Sequence, residues 1–170
     1  MFLRPHPDSP SPVTRIEVEM LREAPDLLTL IYSIFGDLEG VSFPPAQASA
    51  RTDDLWKHTC FEVFLGAEQG YCEYNFSPSS QWAAYRFDGH RAGMRDAPTA
   101  DPSIEWRTDD GGGVLSVTLR LPPDVTGWLG LSAIIEDTNG NRSFWALAHP
   151  AGAPDFHHAA CFAAELPPAG

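Results

Sequence analysis

No apolar run in this 170-residue chain approaches the roughly 18 residues that a membrane-spanning helix needs. The opening stretch, MFLRPHPDSPSP, lacks the apolar core of a secretory leader. Cysteine is scarce, and three is an odd number, which suits a reducing compartment better than a disulfide framework. The expectation is a cytoplasmic protein whose Cys60, Cys72 and Cys161 are buried apolar thiols. Positive charge is short as well: 11 Lys and Arg stand against 23 Asp and Glu, a net charge of −12. That leaves no basic patch for a phosphate backbone and disfavours anionic lipid, so neither nucleic acid nor membrane is an expected partner. The common catalytic signatures are missing too. There is no H-E-x-x-H, no C-x-x-C and no G-x-S-x-G elbow, and no sequence repeat.

What is present reads as strands. Sixteen prolines and 14 glycines favour many short elements joined by turns. Ile16, Val18 and Met20 alternate with charged residues, as on a half-buried strand. LLTLIYSIF (27–35) is apolar on both faces, as in a more deeply buried strand. Leu115, Val117, Leu119 and Leu121 repeat the alternation, and 128–138 continues it. Asn139-Gly140 is the signal for a two-residue type I′ hairpin, with 142–149 returning antiparallel. A last strand lies around 161–166. No stretch makes a convincing amphipathic helix. The sum is one domain, 1–170, with 1–12 as a Pro-rich arm. Its expected fold is an all-β antiparallel sandwich of about ten strands, jelly-roll or immunoglobulin-like.

The stretch from Leu55 to Phe87 is the densest, with two of the five Trp and three of the four Tyr. It reads as three successive strands. Phe61, Val63 and Leu65 point to one face; Cys60, Glu62 and Phe64 point to the other. A four-residue turn at Pro78-Ser79-Ser80-Gln81 sets Glu73 opposite Arg86 and keeps charge off the apolar face. A three-residue turn slips the register by one and brings Arg86 beside Tyr74 and Phe76. The four-residue turn is therefore expected, giving a polar face of Glu62, Glu73, Asn75, Trp82 and Arg86.

Such a face suits sugar, which asks for flat rings against pyranose faces and charged or amide groups for hydroxyls. Trp56, Trp82 and Trp145 are candidate rings; Glu62, Glu73, Asn75 and Arg86 are candidate partners for hydroxyls. A catalytic Glu62–Glu73 pair is disfavoured, because Arg86 opposite Glu73 holds that carboxylate ionised. His149, Asp155 and His157 flank one loop and make a two-His, one-carboxylate alternative for a metal.

The strings LWKHTCFEVFL, YCEYNFSPSSQWAAYRFDGHR, NRSFWALAHP and PDFH resemble the DOMON-like superfamily, which includes the family-9 carbohydrate-binding modules. The nearest likeness is to a bacterial branch of stand-alone members, over about 16–166. The resemblance implies a jelly-roll sandwich with a ligand role for sugar or haem. In the sugar-binding modules a Trp six residues ahead of a strand Glu is part of the site, a spacing matched by Trp56 and Glu62. Arg86 matches the binding Arg, with Arg91 as its rival, and Phe156 or Trp145 would serve as the second ring. For haem the implied axial pair is Met94 with His149 or His157. The expected function is non-catalytic binding of a small sugar or sugar-like ligand through Trp56, Glu62, Asn75, Arg86, Trp145 and Phe156. No cofactor is expected. The alternatives are a metal-dependent enzyme or haem protein using the His149, Asp155 and His157 loop, and a protein-interaction module.

Overall fold

The computed structural model describes residues 1–109 and 111–170. Twelve strands and three short 3-10 turns carry these residues, with no longer helix among them. None is long and apolar enough to cross a membrane. The run Asp109-Asp110-Gly111-Gly112-Gly113, whose punctuation predicts a turn, lies partly outside the described residues, at Asp110.

Two sheets face each other. The first runs in the order β1 (Phe2–Pro5), β2 (Val13–Ala24), β3 (Leu27–Gly36), β9 (Gly112–Arg120), β8 (Ser103–Asp109). The second runs β7 (Arg95–Asp96), β6 (Trp82–Phe87), β5 (Tyr71–Phe76), β4 (Cys60–Ala67), β10 (Val125–Glu136), β11 (Arg142–Ala146). The short β12 (Ala164–Glu165) pairs with β10. All ladders between these strands are antiparallel, as the alternation predicts. The residues read as a loose arm contain β1, which pairs with both β2 and β11 and joins the two sheets at that edge. β3 is sealed on one face only, and not the doubly buried strand expected. Leu28, Leu30, Tyr32 and Ile34 are sealed, while Leu27, Thr29, Ile31 and Ser33 are only partly covered.

Between the sheets, the inward rows of β3 and β9 meet Phe61, Val63 and Leu65 of β4 and Tyr74 and Phe76 of β5. Trp145, expected as a binding ring, lies in this core at 2% exposure, its indole N–H donating to Ser143 Oγ at 3.2 Å. One bond ties the sheets directly: the Tyr32 hydroxyl donates to the Glu62 carbonyl at 2.8 Å, fully buried. All three cysteines are buried and unpaired; Cys60 and Cys72 occupy different apolar clusters.

Two turns depart from expectation. The β5–β6 turn closes with Ser77 N–H donating to the Gln81 carbonyl at 2.9 Å, leaving three residues, 78–80, in the turn. Ser80 takes a left-handed φ of 76°, and the Ser77 hydroxyl accepts from both Ser79 N–H and Ser79 Oγ. A three-residue loop ending in a left-handed residue is a common hairpin solution, but glycine normally announces it. The register is therefore the slipped one: Cys72 faces Arg86, Glu73 faces Tyr85 and Phe76 faces Trp82. In the β10–β11 turn, Glu136 pairs with Arg142, and Asp137 N–H donates to the Asn141 carbonyl at 2.8 Å. Only Gly140 has positive φ there, so this is a three-residue loop and not the type I′ hairpin.

The β4–β5 hairpin needs Gly70, with φ of 71° and an added Cβ 1.8 Å from the Phe87 carbonyl oxygen. Backbone cannot give way as a side-chain tip can. Gly70→Ala is expected to cost more than about 2 kcal/mol in urea unfolding, where left-handed strain alone is about 1–2. Gly89→Ala, with nothing within 4 Å, is the control. Equal losses in the two variants would contradict this packing.

Candidate functional site

The second sheet is buried on both faces. Every residue of Cys60–Leu65 and Tyr71–Phe76 is buried, including those pointing away from the inter-sheet core. Across that outer face, Ser132, Glu62, Asn75 and Ala83 form one row, and Gly130, Phe64, Glu73 and Tyr85 form the next. Glu62 and Glu73 are thus diagonal neighbours on adjacent strands, within side-chain reach. The loops of 54–57, 88–94 and 150–162 fold over these rows. Between loops and sheet lies a cavity of about 400 Å³. Glu62 and Glu73 form its floor; Phe64, Tyr85, Phe87, Phe144 and Phe156 contribute walls. Trp56 and Met94, both exposed, mark its mouth.

The floor is electrostatically unusual. Glu62 is 2% exposed and Glu73 6%. Glu62 Oε2 accepts from Ser132 Oγ at 2.8 Å, and Glu73 Oε1 from Asn75 Nδ2 at 2.7 Å. Burial first, and then the Glu73 charge, push the Glu62 carboxyl up to about 8. Burial raises Glu73 as well, against the pull of the Asn75 bond and the Arg91 charge. Two like charges at such depth are not both sustained, so the pair keeps a proton at neutral pH.

His157 covers the floor. Its Nδ1 shares a hydrogen bond of 2.7 Å with the Tyr71 hydroxyl, whose oxygen also accepts from the Arg91 backbone N–H at 3.2 Å. Nε2 lies 3.6 Å from Glu73 Oε2. Burial first, and then Arg91, hold His157 down to about 4, so this contact joins a neutral imidazole to the carboxyl and is no ion pair. The ring packs edge-on against Phe64 at 5.1 Å and Phe87 at 5.0 Å. Asp155 clamps the cover: Arg91 Nε and Nη2 donate to Oδ1 at 3.1 and 2.9 Å, and Oδ2 bonds His90 at 2.7 Å. Burial works to raise Asp155, but the bonds from His90 and Arg91 outweigh it and keep the carboxyl low.

The expected site residues divide. Trp56, Glu62 and Phe156 line the cavity. Asn75 is buried beneath it and orients Glu73, while its Oδ1 accepts from the Cys60 thiol at 3.6 Å. Arg86 is elsewhere. The slipped register turns it inward, to the sandwich rim, where it donates to Asp124 at 3.2 and 2.6 Å and to the Gln69 carbonyl at 2.8 Å. That fork-to-fork pairing is what allows a charge on the apolar side. The same slip seals Trp82 in the core and brings Tyr85 and Phe87 to the cavity. The arginine on the cavity wall is the rival, Arg91. Phe144 and Tyr85 belong to the wall without having been expected as ligand contacts, and His157, expected only as a metal or haem ligand, belongs to it too; only the parity of β6 could have revealed Tyr85.

The metal alternative is not assembled. His149 Nε2 bonds the Arg4 carbonyl at 2.8 Å, away from Asp155 and from His157. Among the described residues no three His, Cys, Asp or Glu are grouped to hold a metal ion. Met94 and His157 share the cavity, but the imidazole is engaged on both sides, by the Tyr71 hydroxyl at Nδ1 and by Glu73 Oε2 at 3.6 Å from Nε2.

No protein-family model matches this chain, and no curated protein does. Solved structures do. A family-9 carbohydrate-binding module from Caldicellulosiruptor kristjanssonii, in complex with cellotriose, aligns with a TM-score of 0.52 at 9% identity, covering 85% of this chain and 70% of that one. A family-9 module from the same organism, in complex with glucose, aligns at 0.48 and 10% identity, over 79% and 76% of the two chains. The chain has the β-sandwich fold of the family-9 carbohydrate-binding modules.

The floor gives stability a pH dependence of definite sign. The folded protein holds a Glu62 proton up to about 8, whereas an unfolded carboxyl releases it near 4.5, so stability falls as pH rises through that window. His157 acts at the acid end. Its contribution is intact above 6.5 and is lost as pH falls towards about 4. Glu62→Gln is expected to flatten the alkaline decline in thermal melts from pH 6 to 9, leaving the variant at least as stable as the parent at pH 9. A parent melt that does not fall over this range would contradict the buried, protonated floor.

Proposed function

We propose that this chain is a non-catalytic binding protein for a small sugar, and that the cavity on the outer face of the second sheet is its site. The observation that carries the reading is the Trp56 indole. It is 43% exposed at the mouth of a cavity whose walls are rings and whose floor is two carboxyl groups. A pyranose offers both an apolar face and a rim of hydroxyls, and this arrangement matches the two together. Trp56 stacks on the ring, with Phe156 as the second apolar contact. Glu62 and Glu73 take hydroxyl hydrogens, Arg91 donates, and Asn75 holds Glu73 in place. A volume of about 400 Å³ falls within the range of small-molecule sites, about 300–1,000 Å³. The fold shared with modules solved on cellotriose supports the reading, as does the net charge of −12, which disfavours phosphate-bearing polymers and anionic membranes. Three unpaired buried thiols support the cytoplasm as its compartment.

Tryptophan fluorescence titrated with a panel of mono- and disaccharides tests this. At least one sugar is expected to change the emission, with affinity falling roughly tenfold or more in Trp56→Ala, about 1.4 kcal/mol. Arg91→Ala is expected to weaken binding. Arg86→Ala and Trp128→Ala, both away from the cavity, are expected to leave affinity unchanged. A panel without any response, or a loss confined to Arg86→Ala, would remove the proposal.

A further inference from the structure

The cavity floor carries more acceptor capacity than the protein uses. Glu62 Oε2 and Glu73 Oε1 are bonded, to Ser132 and Asn75. Glu62 Oε1 has no hydrogen-bond partner among the described residues, and Glu73 Oε2 meets only the 3.6 Å contact with His157. Both side chains are more than nine-tenths buried, and both line the cavity.

No cation of the protein is committed to these oxygens. The Arg91 guanidinium is bonded to Asp155, and His157 is neutral. Arg142 stands at the mouth, its guanidinium carbon 6.0 Å from the Trp56 ring centroid. The walls are the faces and edges of aromatic rings, which attract cations as well as apolar surfaces. Unused buried carboxyl oxygens inside an aromatic enclosure are matched best by a group that brings positive charge and several N–H donors. An ammonium has three, and a hydrogen bond to a charged group contributes about 1.5–3 kcal/mol against about 0.5–1.5 for a neutral one.

We propose that the ligand is an amino sugar, its ammonium group seated between Glu62 and Glu73 and its pyranose ring against Trp56 and Phe156. This rests on the sugar-binding reading above and narrows the class of sugar. Binding then exchanges one cation for another: the ammonium enters, and the proton shared by the two carboxyl groups leaves for solvent. The other titratable groups facing the floor do not compete for that exchange around neutrality. Burial raises the Cys60 and Tyr71 groups, and burial with the Asp53 contact raises Tyr85, so these stay protonated. Asp155 is held ionised by His90 and Arg91.

Isothermal titration of the full chain with glucosamine, glucose and N-acetylglucosamine tests the proposal. The experiment is run at neutral pH, in salt that screens exposed charges, and in two buffers of different ionisation enthalpy. Glucosamine is expected to bind roughly tenfold or more tightly than the other two. Its measured enthalpy is expected to shift between the buffers as protons are released, and that of glucose to stay constant. Glu62→Gln, which keeps the shape and removes the charge, is expected to abolish both the preference and the proton release. Glucose binding as tightly as glucosamine would overturn the amino-sugar inference and leave sugar binding standing. A preference that survives in both Glu62→Gln and Glu73→Gln would also overturn it. Silence towards all three sugars would overturn the amino-sugar inference, and sugar binding itself falls only if the wider panel of mono- and disaccharides is silent as well.

Discussion

Two carboxyl groups withdrawn from water side by side are the constraint on which the rest of this structure turns. Moving a carboxylate out of solvent is costly, and a second one beside it adds repulsion. The fold meets this cost with Ser132 on one oxygen, Asn75 on another, and a retained proton. Apolar residues of similar volume would be simpler for stability alone, since replacing buried ionisable pairs in that way is often neutral or stabilising. Glu62 and Glu73 also sit in a sheet that has already buried its other face against Tyr32 and its neighbours. The acidic floor is therefore additional to what a sandwich needs in order to fold.

The cover over that floor is built from segments far apart in sequence. Trp56 comes from the approach to β4, Arg91 from the loop after β6, and Phe156 and His157 from the segment after β11. Asp155 holds two of these segments together through His90 and Arg91. These ion pairs are partly exposed, so their role lies more in geometry than in stability. They place the Arg91 charge against the cavity while offsetting it, which leaves the floor acidic.

Much of the fold was legible in the sequence. Alternation in Val13–Met20, Phe61–Leu65 and Leu115–Leu121 marks strands without ambiguity, and the absence of helical periodicity leaves an antiparallel sandwich as the outcome. The site was legible in part. Glu62 could be chosen because it lies on a strand whose faces are clear, Trp56 because its spacing to Glu62 resembles that of the family-9 modules, and Phe156 only through that same resemblance. Arg86 and Trp82 are expected on the wrong face, and Tyr85 is overlooked, for a single reason. Ser80 adopts a left-handed conformation that no glycine announces, and a one-residue slip inverts every side chain of β6. The rule that charge avoids an apolar face favoured the wrong register, since nothing local in sequence indicates that Asp124 waits at the rim for Arg86. Trp145 shows a similar limit: alternation locates a side chain on a face but does not say which face meets the other sheet. β1 escaped notice because a four-residue strand beside prolines carries too short a pattern to read.

The measurement closest to the central claim is the titration of glutamate side-chain carboxyl carbons by NMR, with Glu62→Gln and Glu73→Gln used to assign the two signals. The account expects both carboxyl groups to titrate above the ordinary range in the free protein, Glu62 near 8, and the shared proton to be lost at lower pH once glucosamine is bound. Both groups titrating near 4.5, with no change when sugar is added, would contradict it.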